Sequence, residues 1–563
     1  MVWLEAMFVK YPEVSVYLAI GLGYLIGKLK VRGVGLGAVT GSLVAGILIG
    51  NFFYVPITDQ AKSMLFLLFL FGIGYSVGPA FFRSLKGDGW RWVALGVFVP
   101  VVGLLTAYAV ARFLKLDPGY AAGLLSGGLT ESPAIGTASE AIRALSIPTE
   151  QKETFVSHIA VADAICYLFG TLGVIWWCAG IAPKVLGIEV REECKKLEAE
   201  LGVQGEKPGV QPAWRGIEHR AYRVVVNGLL AGKTVAEIQT MAPAARIFVE
   251  RVRREGKIFV PDRATVIGAN DTMAIMARTE VLVHELGPAA MEVADLELLQ
   301  IPVASFNLFV TEKKIAGRTL QDIVDNVPEA HGVFLRSMRR GEESIPIGNN
   351  TVIERGDILE VMGSELAIQE LAPRIGTLLR PFEESDLSVL GLAVFGGVLF
   401  GAVASVPIGS LKVSLGASVG TLLAGVLVGW ARSVKPWFGK IPDAAILFMR
   451  SMGLAAFVAM VGLKAGPLFL PAVREHGLAL FAGGVMVTLV PMILGLFFGR
   501  HVLKLSPGLL LGGLTGAQTS TAAAAALQEK TDSGIPMLGY SCTVAFGHIL
   551  LTTWGTVIVA LMS

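Results

Sequence analysis

The sequence predicts a multi-span α-helical membrane protein that carries a soluble α/β insert near its middle. Of its 563 residues, 53% are hydrophobic and only 16% are charged, so the chain lacks the charged surface of a soluble protein of this length. The mean hydropathy is +0.63. Apolar runs of about 20 residues, the length that crosses a bilayer, recur in the first and last thirds. Residues 185–380 instead have the charge and the short strand-like runs of a soluble domain.

Ten apolar runs are long enough to cross a bilayer, five before the insert and five after it. No small-residue cleavage pattern follows the N-terminal run, so we expect a retained first helix and no signal peptide. The predicted spans lie near residues 13–28, 34–53, 64–82, 91–114 and 155–181, and near 387–405, 413–431, 444–470, 477–499 and 537–562.

The two membrane halves repeat each other. The run "VGLGAVTGSLVAGILIG" (34–50) matches "VSLGASVGTLLAGVLVG" (413–429) at ten of seventeen positions. Because the same glycines recur in the same order in three places, we interpret the halves as an internal duplication. The other two matches are "GYSVGPAFF" (74–82) with "GLKAGPLFL" (462–470), and "GLLSGGLT" (123–130) with "GLLLGGLT" (508–515).

The insert is doubled as well. "AGKTVAEI" (231–238) pairs with "AGRTLQDI" (316–323), and each copy continues with a basic "RR" turn and a V-I-x-x-x-D pattern. The linker "GVQGEKPGVQP" (202–212) is rich in turn-forming residues and precedes the first copy. The predicted domains are membrane half 1 at 1–184, insert domains at 205–288 and 295–378, and membrane half 2 at 385–563.

Charge predicts the topology, because Lys and Arg concentrate in cytoplasmic connections. The connections after the first and third spans are basic and the one between them is nearly neutral, which places the N-terminus outside. If "SGGLTESPAIGTASEA" (126–141) crosses the membrane, the insert lies outside; if the segment dips in and returns, the insert is cytoplasmic. The second half favours the dip. The basic residues used are Lys28, Lys30, Arg32, Arg83, Lys86, Arg91, Arg432, Lys435, Lys440, Arg450, Arg500 and Lys504.

Five crossings in each half give the two copies opposite orientations, which is an inverted-topology repeat. This topology predicts two re-entrant hairpins, at about 119–150 and about 507–535. They enter from opposite faces and meet near the middle of the membrane. Both chain termini are then outside and the insert is cytoplasmic.

The tips of these hairpins are the candidate substrate site. Irregular backbone at membrane depth needs protein or water around its polar groups, and free N–H groups at a helix start favour an anion. The alternative is that small residues only allow close helix packing; packing explains the glycines but not Glu131, Gln518 and the hydroxyl groups together. The candidate residues are Gly127, Gly128, Thr130, Glu131, Ser132, Pro133, Gly513, Thr515, Gln518, Thr519, Ser520 and Thr521.

Three further ionisable residues lie within apolar runs. Lys464 is a candidate cation for a substrate carboxylate, unless it reaches the outer face as a snorkelling side chain. The repeat register places Asp163 and His548 at equivalent points of the two halves, so both are candidates for proton or substrate-amine handling. Each of them can instead cap hairpin backbone. Glu131 can hold a substrate ammonium, carry a proton or complete the first turn of its helix.

Catalytic and metal chemistry have little support in the sequence. It contains no G-x-S-x-G, H-E-x-x-H or P-loop motif, and the four cysteines show no metal-ligand or disulfide spacing. The net charge of +2 carries no basic tail or patch that indicates nucleic acid. We expect a protein that is not an enzyme and uses no cofactor.

The hairpin phrases "GLLSGGLTESPA" and "GGLTGAQTSTAA", with "GYSVGPAFF" upstream and the doubled insert between the halves, resemble the aspartate:alanine exchanger family of bacterial secondary transporters. The insert domains look like TrkA-C domains, also called RCK C-terminal domains, which bind small regulatory ligands elsewhere. The resemblance implies a homodimer in the bacterial cytoplasmic membrane and an elevator-like mechanism. It also implies exchange or export of amino acids or dicarboxylates. The nucleotide-binding TrkA-N unit is absent from the sequence before residue 220.

The sequence therefore predicts a secondary transporter of small carboxylates or amino acids, with aspartate:alanine antiport as its first candidate. The moving part is predicted to be the hairpins with the spans at 64–82, 155–181, 444–470 and 537–562, and the scaffold to be 34–50 and 413–429. Three alternatives remain open: a succinate-type dicarboxylate exporter, a ligand-gated ion channel, and a membrane sensor that binds without transport.

Overall fold

A computed structural model describes residues 2–28, 30–31, 34–35, 37–85, 89–201, 217–226, 228–241, 247–301, 303–327, 330, 333–340, 343–379, 384–408, 411–435 and 437–563. The linker at 202–212 and the basic residues Arg32 and Lys86 lie outside the described residues. The chain forms two compact units. The membrane unit comprises Met1–Ala199, Arg339–Ile345 and Pro381–Ser563; the insert unit comprises Glu200–Met338 and Pro346–Arg380.

The first half of the membrane unit is helical apart from one short pair of strands, β1 (Lys30–Val31) and β2 (Val34–Gly35). Its helices are α1 (Val2–Lys10), α2 (Pro12–Gly27), α3 (Ala38–Phe52), α4 (Asp59–Ser84), α5 (Trp90–Phe113), α6 (Pro118–Gly128), α7 (Pro133–Ala144) and α8 (Thr149–Ile175). A π-helical turn at Trp176–Ile181, α9 (Ala182–Val185) and α10 (Val190–Leu201) follow.

The insert unit contains two five-stranded antiparallel sheets with the same strand order. The first has the order β5-β4-β6-β3-β7 and the second β10-β9-β11-β8-β12, so the doubled sequence folds twice into one topology. The first copy consists of β3 (Ile217–Arg223), α11 (Val235–Gln239), β4 (Ile247–Arg254), β5 (Lys257–Phe259), β6 (Thr272–Arg278), α12 (Thr279–Val281) and β7 (Met291–Val293). The second consists of β8 (Val303–Val310), α13 (Leu320–Asn326), β9 (Val333–Arg340), β10 (Glu343–Ser344), β11 (Asp357–Ser364), α14 (Glu365–Ile375) and β12 (Gly376–Leu379).

Short helices in the insert start at capped threonines that belong to the "AGKT" and "AGRT" turns. The Thr234 side chain accepts a hydrogen bond from the Glu237 backbone N–H, and the Glu237 carboxylate accepts from the Thr234 N–H in return. Thr319 caps α13 in the second copy by accepting from Asp322 N–H at 3.2 Å. Only the first of these caps is reciprocal, and a threonine cap of either kind is worth about 1 kcal/mol, which explains why the turn sequence recurs.

The second half of the membrane unit repeats the helical order of the first. It consists of α15 (Leu387–Val403), the strands β13 (Ser405–Ile408) and β14 (Leu411–Ser414), α16 (Gly416–Val434), α17 (Asp443–Phe497), a π-helical turn at Phe498–Val502, α18 (Pro507–Ala517), α19 (Thr521–Thr531) and α20 (Ile535–Met562).

Six helices among the described residues are long and apolar enough to cross a membrane. Three more apolar helices, α2, α3 and α15, are shorter, at 10–17 residues. The sequence predicts separate spans at 444–470 and 477–499, whereas α17 runs through both as one helix of 55 residues. Pro467 and Pro471 lie inside this helix, where a proline removes one backbone hydrogen bond and crowds the carbonyl four residues earlier, which favours a kink. The ten predicted spans thus become fewer, partly longer helices.

The two parts of α17 pack on different partners. Its first part runs beside α3, with Gly46 against the Ala459 carbonyl and Gly50 against Leu463. Its last part packs antiparallel to α5, where Gly483 contacts Val110 and Gly495 contacts Val99. The two predicted spans therefore correspond to two parts of α17 with different packing partners, although the helix is continuous between them.

The same helix contacts recur in both halves. Gly46 of α3 packs on the Ala459 carbonyl of α17, and Gly425 of α16 packs on the Phe71 carbonyl of α4. Close approach of this kind requires glycine, because a Cβ on either residue would collide with the opposite backbone. Further repeated contacts are those of Gly74 with Leu422 and of Gly462 with Leu43.

The structure corrects the hairpin register. α6 begins at Pro118 and α18 at Pro507, and each is followed by a threonine with left-handed backbone, Thr130 at φ 56° and Thr519 at φ 53°. Thr519 is therefore the counterpart of Thr130, whereas the match of "GLLSGGLT" with "GLLLGGLT" assigns that place to Thr515. A glycine- and leucine-rich helix matches a related one nearly as well after a shift of one turn, so the sequence match selected the wrong turn.

The equivalence of Asp163 and His548 is also wrong. Gly127 of α6 packs against the Asp163 carbonyl, while its counterpart Gly516 of α18 packs against the Tyr540 carbonyl. Tyr540 thus takes the place of Asp163 in the second half, and His548 lies about two turns further along α20. The registers differ because α8 begins before it meets α6, whereas α20 meets α18 from its first turn.

Candidate functional site

The two hairpins, α6–α7 and α18–α19, meet at their tips. The Thr130 hydroxyl donates to the Gln518 carbonyl at 3.3 Å, and the Thr519 hydroxyl donates to the Glu131 carboxylate at 2.7 Å. The left-handed threonine at each tip turns the chain between its two helices. Pro133 occupies the first position of α7, where its missing N–H costs nothing.

A cavity of about 330 Å³, here called the central cavity, lies between the hairpin tips and the helices α4 and α17. This volume is at the lower end of the range for small-molecule sites. Its polar residues come from both hairpin tips, from α4, α8, α17 and α20, and from the end of β9. They are Ser76, Thr130, Glu131, Ser132, Tyr167, Arg340, Arg450, Ser451, Thr519, Thr521, Tyr540, Ser541 and His548.

Glu131 is the centre of a buried hydrogen-bond network. Its side chain is 1% exposed and accepts hydrogen bonds from Thr519 at 2.7 Å and from Thr552 at 3.0 Å. The His548 Nδ1 lies 3.2 Å from Oε1, the same carboxyl oxygen that accepts from Thr552, whereas Thr519 donates to Oε2. Three partners from the second half thus hold this side chain of the first half in one place, as a buried carboxyl group requires.

The same cavity is also lined by a cation. Arg450 of α17 lines the central cavity, and its Nη1 lies 3.4 Å from the Ser76 hydroxyl of α4. The sequence interpretation used Arg450 only as a marker of the inner membrane boundary. One signal could have found it: "KSM" at 62–64 and "RSM" at 450–452 are the same phrase in the two halves. Thr552 and Tyr167 were missed because nothing local distinguishes them in apolar helices.

Seven of the predicted site residues line the central cavity, and six pack around it. The Gln518 amide donates to the Thr488 carbonyl at 3.4 Å, and Ser520 caps α19 by accepting from Ala523 N–H. Thr515 donates to Gly512 within its own helix. The lining residues are Thr130, Glu131, Ser132, Pro133, Thr519, Thr521 and His548; the others are Gly127, Gly128, Gly513, Thr515, Gln518 and Ser520.

Two predicted residues lie away from the central cavity. The Lys464 ammonium lies 3.3 Å from the Glu153 carboxylate. Asp163 is buried behind the first hairpin, where the Ser126 hydroxyl donates to it at 2.6 Å. This bond fits the alternative in which Asp163 supports hairpin structure. Of the ionisable candidates, Glu131 and His548 line the central cavity, and Arg450, which was not a candidate, lines it with them.

The central cavity therefore offers an acid pole and a cationic pole to a small polar molecule. The described residues contain no cluster of three or more His, Cys, Asp or Glu side chains with metal-binding geometry. Hydroxyl groups of Ser132, Ser451 and Thr521 line the same cavity and can act as neutral donors and acceptors. A molecule with both an ammonium and a carboxylate, or with two carboxylates and a shared proton, matches these charges.

Comparison with known protein families identifies a permease membrane region and a TrkA-C domain in this chain. The family model Asp-Al_Ex, described as a predicted permease membrane region, matches residues 15–183 and 389–560. A TrkA-C domain model matches residues 308–376, inside the second insert domain. The match to the permease membrane region is therefore in two segments, one before the insert and one after it.

Relatives cover the whole chain. An uncharacterized transporter of Bradyrhizobium diazoefficiens is 47% identical over 515 residues, 92% of this chain and 99% of the relative. One from Shewanella oneidensis is 34% identical over 565 residues and the full length of both proteins. One from Bordetella parapertussis is 36% identical, covering 98% of this chain and 97% of the relative. Their names describe transporters and not enzymes. The chain is a multi-pass membrane protein that belongs to the Asp-Al_Ex permease family.

Proposed function

We propose that this protein is a secondary active transporter that exchanges or exports small carboxylates or amino acids, with aspartate:alanine antiport as the first candidate. The observation that carries the proposal is the central cavity, which Glu131, His548 and Arg450 line together. A catalytic site would need an activated nucleophile or an acid–base pair beside a reactive atom. A carboxyl group held by Thr519 and Thr552 is suited instead to binding a charged substrate group.

Arg450 is the proposed partner of a substrate carboxylate. Its planar guanidinium matches a carboxylate in two parallel hydrogen bonds, which Lys cannot form. Ser76 beside it would keep the guanidinium in position. Lys464, the cation proposed from sequence, remains a candidate for substrate entry, because Glu153 beside it is half-exposed.

Glu131 is the proposed partner of the substrate ammonium or of a transported proton. The buried carboxyl group joins both hairpins, so a change in its charge or bonding is felt by both tips. His548 lies beside it as the adjacent titratable group. An alanine and an aspartate share the ammonium and one carboxylate, which fits one acid pole and one cation for both substrates of an exchanger.

The proposed mechanism is of the elevator type, with an inverted-topology repeat and re-entrant hairpins. Glycine contacts support a division of the helices: α3 packs on the first part of α17, and α16 packs on α4, without side chains between the backbones. We therefore propose that α4 and the first part of α17 belong to the scaffold. This differs from the sequence interpretation, which put the spans 64–82 and 444–470 in the moving part.

The proposed moving part consists of both hairpins with α8 and α20. α6 lies along α8 and α18 lies along α20, and these contacts again use glycines, Gly123 and Gly512. The central cavity lies at the boundary between the two parts. By the charge argument, Arg450 and the end of α4 are on the cytoplasmic side, so this cavity would be the inward-facing site.

The insert is the proposed regulatory part, located in the cytoplasm. Its second domain matches the TrkA-C model, and a ligand that prefers one conformation of the transporter would shift its population toward that conformation. A homodimer in the bacterial cytoplasmic membrane completes the proposal.

Counterflow in proteoliposomes tests the function. Vesicles loaded with unlabelled aspartate, alanine, glutamate or succinate are diluted into labelled substrate, and the accumulated label is measured. Aspartate and alanine are expected to exchange with each other. Exchange of succinate alone would replace the proposal with a dicarboxylate exporter, electrical currents far above transporter turnover would indicate a channel, and binding without flux a sensor.

Two matched variants locate the substrate cation. Arg450→Gln is expected to abolish counterflow or to raise the half-saturating substrate concentration at least about tenfold, the effect of losing one charge-assisted bond. Lys464→Gln, its control in the same helix, is expected to remain within about threefold of the wild type. The opposite ranking would return the role of substrate cation to Lys464.

A further inference from the structure

A second cavity of about 150 Å³ lies away from the central cavity. It is bounded by the first turns of α4, the end of α7, the start of α16 and the middle of the first part of α17. Lys62 lines it and is only 3% exposed. Other residues that line it are Ser63, Phe66, Ser139, Glu140, Arg143 and Phe457.

The repeat relates this cavity to the central one. Lys62 and Ser63 on α4 are the counterparts of Arg450 and Ser451 on α17, in the same register that pairs Gly74 with Gly462. Lys62 and Ser63 line the second cavity, whereas Arg450 and Ser451 line the central cavity. The relation also works in reverse: Phe457 and Val461 line the second cavity, and their counterparts Phe69 and Ile73 line the central one. Each cavity is thus built from equivalent positions of the opposite half.

The two cavities lie end to end along the same three elements. On α4, Lys62 to Leu67 line the second cavity and Phe69 to Ala80 line the central one. The interval from Lys62 to Ala80 corresponds to about 27 Å of helix, close to the thickness of the hydrocarbon core. α17 and the first hairpin are divided between the cavities as well, but their earlier residues line the central cavity. On α17 this reversal follows because the helix runs antiparallel to α4, with Gly72 against Arg450 and Gly453 against Leu65. A single pathway through the membrane would place its two mouths in this arrangement.

An aromatic barrier separates the cavities. The rings of Phe66 and Phe457 stack with centroids 4.4 Å apart, and Phe66 also fills the notch at Gly136 of α7, where a Cβ would overlap its ring. These residues come from the proposed scaffold on one side and the proposed moving part on the other. In the conformation of this structure the barrier closes the passage between the second cavity and the central cavity.

Glu140 joins the same two parts at this closed end. Its carboxylate accepts from the N–H groups of Ala417 at 2.6 Å and of Ser418 at 3.2 Å, the first residues of α16. Such a cap on a helix start is favourable for a carboxylate. The site at the α16 start is therefore suited to a carboxylate oxygen, and Glu140 of the moving hairpin occupies it in this conformation.

We infer that the second cavity is an outer binding site of the transport pathway, with Lys62 as the cation for the carboxylate of a small amino acid or dicarboxylate. This inference rests on the proposed function. Lys62 performs at the outer mouth the role that Arg450 performs at the inner one. When the hairpin moves, Glu140 leaves the α16 start and the Phe66 barrier opens, so that a substrate bound at this outer site can pass on toward the central cavity.

Thiol accessibility tests the position of the site. Ser63→Cys and Ser451→Cys are matched, repeat-related variants, made in a Cys542→Ser background because the other three cysteines are buried. A membrane-impermeant thiol reagent is applied to right-side-out and inside-out vesicles. Ser63→Cys is expected to react from outside only and Ser451→Cys from inside only. Reaction of Ser63→Cys from inside alone, or from neither side, would overturn the inference.

Side-specific kinetics test the binding role. Lys62→Gln is expected to raise the half-saturating concentration of external aspartate about tenfold, the effect of losing one charge-assisted bond, and to leave the internal value unchanged. Equal changes on both sides, or none, would refute the role of Lys62. Thr106→Val is the control, since the Thr106 hydroxyl donates within its own helix to Val102, and it is expected to leave both values near those of the wild type. If the wild type exchanges none of the carboxylates, the proposed function fails instead, whatever the labelling pattern.

Discussion

Coupling between the hairpin tips through Glu131 gives the sharpest prediction. The carboxylate accepts from Thr519 at 2.7 Å and Thr552 at 3.0 Å, with His548 at 3.2 Å. Hydrogen bonds to a charged group contribute about 1.5–3 kcal/mol, against about 0.5–1.5 kcal/mol for neutral pairs. Glu131→Gln preserves the shape and removes the charge, so each bond weakens by about 1 kcal/mol and the network by about 2–3 kcal/mol.

The assay is counterflow of aspartate in proteoliposomes, with rate ratios converted into free energies. Glu131→Gln is expected to lower the rate by about 30- to 150-fold, and Thr519→Val by about tenfold. Because both changes act on the same bond between Thr519 and Glu131, the double variant should lose about 1 kcal/mol less than the sum of the single losses. Thr106→Val is the control, since the Thr106 hydroxyl donates only within its own helix, to Val102.

Additive losses within about 0.3 kcal/mol would refute the tip-to-tip coupling, because independent sites add to that precision. Wild-type counterflow in Glu131→Gln would refute the role of the carboxyl group altogether. A loss in Thr106→Val as large as that in Thr519→Val would show that the assay reports general loss of packing.

The remaining predictions concern packing, the barrier and the insert. Gly50→Ala places a Cβ against the Leu463 carbonyl and should destabilise the protein by several kcal/mol, seen as a lower unfolding temperature in detergent; Gly21→Ala has open space around it and should not. Phe66→Ala removes the stacked ring and should let external reagent reach Ser451→Cys, whereas unchanged labelling would contradict the barrier. Burial lowers the pKa of His219 below its ordinary 6.5, so the unfolded insert binds a proton more readily than the folded one. Its stability should be full above about pH 6.5 and fall as the pH drops below that value; His219→Gln should flatten this decline in thermal unfolding at pH 7.5 and 5.5.

Hydrophobic periodicity and repeats gave a good account of the elements and a poorer one of the site. The runs that the sequence predicts as spans are helical in the structure, and the insert sheets follow the doubled sequence. The prediction of a break between 470 and 477 fails, since α17 continues. Arg450 was assigned to the membrane boundary because charge counting sees only the distance from an apolar run and not the neighbours across a cavity.

The repeat shows most clearly where sequence reasoning stops. In α3 and α16 the glycines occur at distinctive intervals, and the register read from sequence reproduces the contacts of Gly46 and Gly425. In the hairpins the same residues recur every turn, so the match shifted by one turn and displaced the counterpart of Thr130. The equivalent of Asp163 was displaced as well, because the lengths of the connections between elements differ between the halves.

By itself, the sequence determined a multi-span membrane protein, its division by an insert of doubled α/β sequence, and the polar tips that carry Glu131. These features follow from local properties: hydropathy, glycine spacing and composition are written along one chain. Only the tertiary structure decided that Glu131 accepts a hydrogen bond from Thr519, that Arg450 lines the same cavity, and that Lys62 lines a second cavity. Such partners are separated by hundreds of residues, and no local pattern specifies which backbone approaches which until glycine contacts and hairpin geometry bring the halves together.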